Sequence, residues 1–400
     1  MRIVTLALKN NSLKLIGCLW LLGLTGCSKD SAEQEPVMLQ EVISFSPSLP
    51  DDEVATRAET PLSSLAQTFT AWAYKNDGYD SATETYTSYQ TVMPNYVVNW
   101  TANSAYTTTS NTNNWEYVGQ STDQTIKYWD FDARAYRFFG VAPGTGTNAT
   151  TAYNTVLASG AYKPNSANET DGAYGFSATV DASTDASVDD APYFSELWFS
   201  TGNPTDYPDR QFGRPVTLRF IKPFARVRFI FTFVDGLGFG REKLKDITFH
   251  PTAPQGSPVP KIATAGTVSV NYPLKGSDIT ESWSTSPTGY IDAFTIDYHE
   301  TMTVPDPDLD GIAALNANAY HWYTVLPALN QSSYTIEVAV VTDEVKTAVI
   351  PAEYMSWKPG YEYTYKFKIT ESGGITMDVI QVAINDWSNK RESEHEVYNW

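Results

Sequence analysis

Hydrophobic and polar residues alternate along several segments of this 400-residue chain. The clearest is 361–369, where Tyr, Phe and Ile at odd positions oppose Glu, Thr and Lys at even positions. The segment 334–340 alternates in the same way, and in 224–233 the odd positions are all apolar. A period of two places one face of an antiparallel sheet on a core and the other in water. No long stretch shows helical periodicity, so the pattern predicts an all-β chain.

Further β-prone segments are short and are separated by turn residues, which is typical of a β-sandwich. The Thr/Asn/Ser-rich stretches 101–114 and 144–189 are predicted to be surface loops or partly disordered segments. The stretch 201–215 holds three Pro and two Gly, as an interdomain boundary would. Because 400 residues fit two domains, the sequence predicts two antiparallel β-sandwiches in tandem. The other predicted strands are 42–46, 69–74, 96–100, 115–118, 135–141, 244–249, 266–270, 291–296, 321–326 and 375–384.

The charge balance excludes one class of partner. The chain has 27 basic and 46 acidic residues, a formal net charge of −19. Nucleic acids bind through clusters of Lys and Arg that neutralise phosphates. The sequence therefore predicts no nucleic-acid partner.

The N-terminus predicts export. Three basic residues and no acidic one lie ahead of an apolar run from Leu15 to Gly26. This run is too short to span a membrane and is typical of a signal peptide, residues 1–26. The run leads into Leu24-Thr25-Gly26-Cys27, which resembles a bacterial lipobox and makes Cys27 the predicted lipidation site. The polar, acidic residues that follow would serve as a tether.

Cysteine usage agrees with export as a lipoprotein. The chain holds only Cys18, within the apolar run, and Cys27. The mature protein would therefore have no disulfide, no Cys-ligated zinc and no thiol nucleophile.

Several motifs together resemble the fimbrillin or Mfa-like proteins of Bacteroidetes. Each motif is short, but their order from residue 20 to 390 matches that family. The motifs are the lipobox, Ile43-Ser44-Phe45, Thr56-Arg57-Ala58, the strand 69–74, FIKPFARVRF at 220–229, YTVLP at 323–327, KPGYEY at 358–363 and INDW at 384–387.

The resemblance implies two transthyretin-like Greek-key sandwiches and a role in cell-surface fimbriae (type V pili) that support adhesion. It implies a lipoprotein precursor, acylated on Cys27 with fatty acids such as palmitate, that crosses the periplasm to the outer membrane. It also implies cleavage by an Arg-specific protease between Arg57 and Ala58. The chain would then divide into a tether with a removable strand at 27–57 and two domains at 58–212 and 213–400.

The physics of an incomplete sandwich supports assembly by strand exchange. A sandwich that loses a strand exposes a groove and unpaired backbone groups, and an extended segment of another subunit can fill it. The predicted donor strand is 375–400. The expected partners are other fimbrial subunits and the outer membrane. The alternative is a permanently lipid-anchored monomer that binds host protein or glycan. Stalk, anchor and tip subunits are not distinguished.

Catalysis has little support in the sequence. The four His, at 250, 299, 321 and 395, form no metalloprotease spacing, and no GxSxG or P-loop motif occurs. The chain is predicted not to be an enzyme, with no catalytic residue and no cofactor.

One acidic run offers a calcium candidate. Asp306, Asp308 and Asp310 alternate ahead of Gly311, as oxygen ligands do in calcium loops. The twelfth position is Ala317, where a bidentate Glu would belong. A calcium site and an acidic surface turn both stay open.

Two aromatic pairs offer a sugar-binding alternative. Trp322 with Tyr323, or Trp115 with Tyr117, could stack on sugar rings. Aromatic residues in strands more often pack in the core or across strands.

Overall fold

The computed structural model describes residues 41–47, 67–101, 114–143, 162–164, 172–183, 191–233, 244–253, 256–296, 323–328, 333–340, 345–369, 375–383 and 394–395. Backbone contacts place these residues in one compact unit, Gln40–Trp400. The described strands are β1 Thr68–Asn76, β2 Tyr79–Asp80, β3 Thr85–Tyr86, β4 Gln90–Trp100, β5 Trp115–Glu116, β6 Ala135–Ala142, β7 Tyr162–Pro164, β8 Ala173–Asp181, β9 Tyr193–Ser195, β10 Trp198–Thr201, β11 Phe220–Ile221, β12 Ala225–Phe233, β13 Leu244–Pro251, β14 Ile262–Pro273, β15 Ser282–Ile291, β16 Phe294–Ile296, β17 Tyr323–Val325, β18 Tyr334–Val340, β19 Val345–Ile350, β20 Tyr361–Ile369, β21 Ile375–Ala383 and β22 Glu394–His395.

The largest sheet is buried on both faces. Its strand order is β11-β9-β6-β1-β4-β5, and β10 also pairs with β6. In β1, Phe69 and Ala71 belong to one apolar core, whereas Trp72 and Tyr74 belong to a second core on the opposite face. This sheet is therefore the middle layer between two cores.

A four-stranded sheet, in the order β15-β14-β8-β7, covers one of these faces. Val268, Val270 and Tyr272 of β14 are fully buried, and the ring of Tyr272 stacks on Phe139 of β6 at 4.2 Å between centroids. β14 pairs with β8 over nine residues, so this pairing joins segments on both sides of the predicted boundary at 212. The division into two domains stays a prediction.

The remaining two large sheets enclose a third core. One has the order β17-β12-β20-β21-β22 and the other β16-β13-β18-β19. Fully or almost fully buried aromatic residues of both sheets meet between them, including Phe229, Phe249, Phe294, Tyr334 and Tyr365. This is the two-layer packing that the alternating segments predict, and the all-β sandwich class is confirmed.

One strand pair departs from the antiparallel expectation. β12 and β20 run parallel over nine residue pairs, from Ala225–Tyr361 to Phe233–Ile369. All other pairs among the named strands are antiparallel. Parallel neighbours need a long crossover connection, and here the connection carries β13 to β19.

The outer face of this parallel pair is less exposed than alternation predicts. Arg228, Glu362 and Thr364 are each at least nine-tenths buried. Arg228 donates a hydrogen bond from Nε to the Thr364 hydroxyl at 2.8 Å, and Arg226 lies 3.5 Å from the Glu362 carboxylate. Burial raises the pKa of Glu362, and the two arginines oppose this shift. Paired polar groups replace water on this face.

Two tyrosines of the Tyr-x-Tyr-x-Tyr run in β20 form hydrogen bonds with the turn that precedes it. The hydroxyl of Tyr365 accepts a hydrogen bond from the Trp357 indole N–H at 2.8 Å and donates one to the main-chain oxygen of Tyr354 at 2.7 Å. The hydroxyl of Tyr363 accepts one from the main-chain N–H of Lys358 at 2.8 Å. These bonds give the KPGYEY motif a structural role.

The interpretation of 144–189 wholly as loop or disordered chain is wrong. This stretch contains β7 and β8. In β8, Tyr174, Phe176, Ala178 and Val180 all face the buried side, an alternation that the surrounding polar residues obscure in the sequence. The predicted strands 334–340 and 361–369 match β18 and β20 residue for residue.

Candidate functional site

The segment Glu41–Pro47 lies within the fold between two other parts of the chain. On one side, the Ile43 N–H donates to the Lys127 oxygen at 2.9 Å and the Trp129 N–H donates to the Glu41 oxygen at 2.8 Å. This arrangement forms an antiparallel bridge between Val42 and Tyr128. The predicted strand 42–46 is therefore attached to the body of the protein.

The other side of the segment pairs with the chain just before β11. The Ser46 N–H donates to the Val216 oxygen at 2.9 Å, and the Val216 N–H donates to the Ser44 oxygen at 2.7 Å. The bridge between Phe45 and Val216 is parallel. With partners on both sides, the segment occupies the position of an inner strand and satisfies backbone groups that would otherwise lack a partner.

Two apolar side chains fix the segment in the core. Ile43 and Phe45 are both fully buried. The Phe45 ring meets Phe69, Tyr117 and Phe138 edge to face, with centroid distances of 5.6, 6.0 and 6.2 Å. Phe69 comes from β1 and Phe138 from β6, the central strands of the largest sheet. The segment thus covers the face of that sheet opposite to β14.

A buried tyrosine adds a polar contact. The Tyr117 hydroxyl donates to the Ile43 oxygen at 2.8 Å and accepts from the Lys127 N–H at 3.1 Å. Burial raises the pKa of Tyr117. The hydroxyl therefore keeps its proton, and its donor role, throughout the physiological pH range.

The groove that holds Ile43 and Phe45 is built from distant parts of the chain. Strands β1 and β6 form its floor, Tyr117 follows β5, and Val216 and Leu218 lie on the approach to β11. Full burial of one large apolar side chain contributes about 1.5–3 kcal/mol. Two such side chains, Ile43 and Phe45, therefore contribute to holding the segment in the groove.

Most of the other predicted site residues lie outside the described residues. These are Cys27, Arg57, Ala58, Asp306, Asp308, Asp310 and Trp322. Among the residues that the structure describes, no group of three or more His, Cys, Asp or Glu could hold a metal ion. Within the same residues, no helix is long and apolar enough to cross a membrane.

The aromatic pair Trp115 and Tyr117 is not a sugar platform. Trp115 is 2% exposed and Tyr117 is fully buried, because both pack against the core that holds Phe45. Tyr323 of the other pair is half-buried, and its hydroxyl donates to the Thr295 oxygen at 2.9 Å. For Trp115 and Tyr117 the core interpretation is confirmed.

Sequence reasoning missed the partners of the segment. Val216 stands next to Pro215 at the end of the turn-rich stretch 201–215, and Tyr128 lies in a polar loop. The run 216–220 does alternate, and its apolar residues Val216, Leu218 and Phe220 all face the core that holds Phe45. This alternation is a signal that could have found the partner, besides the apolar pair Ile43 and Phe45.

Comparisons with known proteins find solved structures that are similar to this chain at low sequence identity. No family model matches the chain, and no curated protein does. A candidate cell adhesion protein from Bacteroides uniformis is 12% identical over 86% of this chain and 98% of its own, with a TM-score of 0.34. One from Bacteroides ovatus is 12% identical over 90% and 97%, with a TM-score of 0.33.

A third solved structure is the tip fimbrial protein Mfa3 from Porphyromonas gingivalis. It is 11% identical over 80% of this chain and 94% of its own, with a TM-score of 0.33. These three neighbours are cell adhesion candidates and a fimbrial protein.

Proposed function

We propose that this chain is a surface adhesion protein of the fimbrial type, assembled by strand exchange at the groove that holds Glu41–Pro47. The observation that carries the proposal is the seating of this segment. It is joined to the body by backbone bonds on both sides and by two fully buried side chains. A short segment near the N-terminus thus completes a sandwich whose other described strands begin with β1 at Thr68.

Removal of the segment would leave a site for another chain. The N–H and oxygen of Val216 would lose their partners. The rings of Phe69 and Phe138 would lose their contact with the Phe45 ring. An extended segment with alternate apolar residues replaces such contacts, because backbone bonds supply affinity and pockets select side chains. The contact joins different surfaces of two copies, so it propagates a filament.

Cleavage between Arg57 and Ala58 is the proposed trigger. It would separate the segment from the chain that begins β1 at Thr68, and the segment would then be held only by noncovalent contacts. Before cleavage, lipid on Cys27 would anchor the precursor in the outer membrane, after transit through the periplasm as a lipoprotein.

The pairing of β21 narrows the proposed donor. Residues 375–383 pair with β20 along its whole length. If these residues left the sheet, nine residue pairs would be lost. We therefore assign the donor role to residues 384–400, which include Ile384, Trp387, Val397 and Trp400. Within this stretch the structure describes β22, whose two residue pairs with β21 would be lost on donation, against nine for β21.

The test uses the chain from Ser28 onward, produced without lipid and treated with an Arg-specific protease. We expect a ladder of species that resists mild SDS treatment after cleavage at Arg57, and none before it. The matched control is Arg57→Gln, which should stay monomeric under the same treatment. A chain cleaved at Arg57 that remains monomeric would contradict strand exchange.

Two further measurements locate the ends of the mechanism. Deletion of residues 384–400 should abolish the ladder, and a ladder that persists would refute the donor assignment. Mass spectrometry of assembled fimbriae should show a chain that begins at Ala58. An acylated Cys27 in the assembled stalk would contradict assembly through cleavage at Arg57.

A further inference from the structure

The hairpin of β2 and β3 presents a pair of tyrosines to solvent. Tyr79 and Tyr86 are direct cross-strand partners, and their ring centroids are 5.0 Å apart. Tyr79 is 46% exposed. Since these two-residue strands pair only with each other as strands, the tyrosines lie on a small projection and not on a broad sheet face.

The tyrosine pair continues into the body as a series of rings. Tyr86 meets Phe199 of β10 edge to face at 5.4 Å, and Phe199 meets Tyr207 at 5.4 Å. Phe199 is buried, whereas Tyr207 is half-buried. The series therefore reaches the surface at both ends.

A buried arginine holds this series from below. The guanidinium of Arg137 lies 4.7 Å from the Phe199 ring centroid and 5.5 Å from that of Tyr86. Arg137 is fully buried, with Nε bonded to the Asn76 side-chain oxygen at 3.1 Å and Nη1 to the Asp278 main-chain oxygen at 2.7 Å. Burial lowers the pKa of Arg137 to about 10, so it stays charged at neutral pH and fixes the rings by cation–π contact.

Backbone bonds also fix the hairpin. The N–H of Tyr86 donates to the Gly276 oxygen at 3.1 Å, and the N–H of Gly276 donates to the Tyr86 oxygen at 2.7 Å. A hairpin this small is marginal in isolation. Here Gly276 and Arg137 hold it in one orientation, as a preorganised binding surface requires.

One carboxylate lies beside this ring series. Asp206 is exposed and directly precedes Tyr207, whose ring meets Phe199. The oxygens of Asp206 accept from the Thr201 hydroxyl at 2.8 Å and from the Asn203 amide at 2.7 Å. A carboxylate has about four acceptor positions, so the exposed Asp206 retains capacity for a ligand hydroxyl.

We infer that the surface formed by Tyr79, Tyr86, Tyr207 and Asp206 binds a neutral sugar residue of a polysaccharide. An exposed tyrosine ring offers an apolar face for the C–H groups of a sugar ring, and Asp206 offers an acceptor for its hydroxyls. The acidic neighbour and the net charge of −19 disfavour uronic or sialic acids. The inference gives a ligand class to the proposed adhesive role, and it shares no residue with the strand-exchange groove.

Affinity electrophoresis of the monomeric chain from Ser28 onward tests this inference. The gels contain mannan, galactan or xylan as neutral probes and polygalacturonate as the acidic one. We expect retardation by at least one neutral probe and weaker or no retardation by polygalacturonate. Failure of all three neutral probes, or stronger retardation by polygalacturonate, would overturn the inference.

Matched variants assign the binding to the tyrosine pair. Tyr79→Ala should weaken retardation by at least about fivefold, the loss expected for one aromatic contact, whereas Tyr79→Phe should retain most of it. Tyr290→Ala is the control, because Tyr290 is 51% exposed on β15 and outside the ring series. Equal retardation of Tyr79→Ala and the unchanged chain would refute the site. Polymerisation after Arg57 cleavage is measured separately, so failure of one proposal leaves the other standing.

Discussion

Truncation of Phe45 tests how firmly the segment Glu41–Pro47 is held. The ring is fully buried and meets three aromatic rings edge to face. A Phe→Ala change at such a position costs about 3–5 kcal/mol. We expect Phe45→Ala to fall near the lower end, about 3 kcal/mol, because a segment joined by only two bridges can shift into part of the cavity.

Native-state hydrogen exchange is the direct assay, since it reports local opening of the segment. The amides of Ile43, Ser46 and Val216 all donate across the groove. A loss of about 3 kcal/mol should speed their exchange by about 150-fold. Urea unfolding, followed by tryptophan fluorescence, would report the accompanying change in global stability.

Phe131→Ala is the matched control. Phe131 is 51% exposed, so its removal should change exchange at the groove by less than about threefold. If Phe45→Ala changed those exchange rates as little as Phe131→Ala does, the buried ring would not anchor the segment. The segment would then not act as a plug for the groove.

Three changes in or beside β20, in the sheets that enclose the third core, give further tests, each measured by urea unfolding. Tyr365→Phe should destabilise the protein by about 1–3 kcal/mol, because the buried Trp357 indole would lose its acceptor. Gly360→Ala should cost more than about 1 kcal/mol, since Gly360 has φ +75° and an added Cβ would lie 2.9 Å from Ile221. Burial raises the folded-state pKa of Glu362 above 4.5. The contribution of the Glu362 carboxyl to stability therefore falls as the pH rises above 4.5. Glu362→Gln, which cannot titrate, should therefore gain stability relative to the unchanged chain as the pH rises above 4.5.

Each of these changes has a control in the same chain. Gly256 has φ +78° and open space around its Cβ position, so Gly256→Ala separates backbone strain from the clash with Ile221. Glu353 is exposed, so Glu353→Gln is the control for the loss of a carboxylate at the surface. An equal pH dependence in Glu362→Gln and the unchanged chain would contradict a raised pKa for the Glu362 carboxyl in the folded protein. Tyr365→Phe should leave the free energy of unfolding unchanged only if water reaches the Trp357 indole. Quenching of the indole fluorescence by a soluble quencher would detect such access.

The strands that could be predicted from the sequence are those with one buried face. β18 and β20 alternate strictly, and their predicted limits match the structure. β1 and β6 are buried on both faces, so alternation could not locate their ends. β15 shows little apolar character, because it is an edge strand whose side chains alternate between exposed and half-buried.

The groove could be predicted only in part, for a related reason. Ile43 and Phe45 are an apolar pair within a polar stretch, and this pattern indicated a strand. The partner strand position at Val216 depends on contacts between residues far apart in sequence. Such pairing is a tertiary property, and local propensity carries no information about it. The tyrosine pair on the β2–β3 hairpin was missed because strands of two residues leave no periodicity.

β20 lies in the middle of the sheet β17-β12-β20-β21-β22. This position sets the order in which that sheet can form. Its partner β12 is synthesised long before it, but the two cannot meet until residues 361–369 exist. Until then one edge of β12 lacks its partner strand. Long-range pairings of this kind form slowly. A growing chain would therefore carry an incomplete sheet until residues 361–369 are synthesised, and would need protection from aggregation until then.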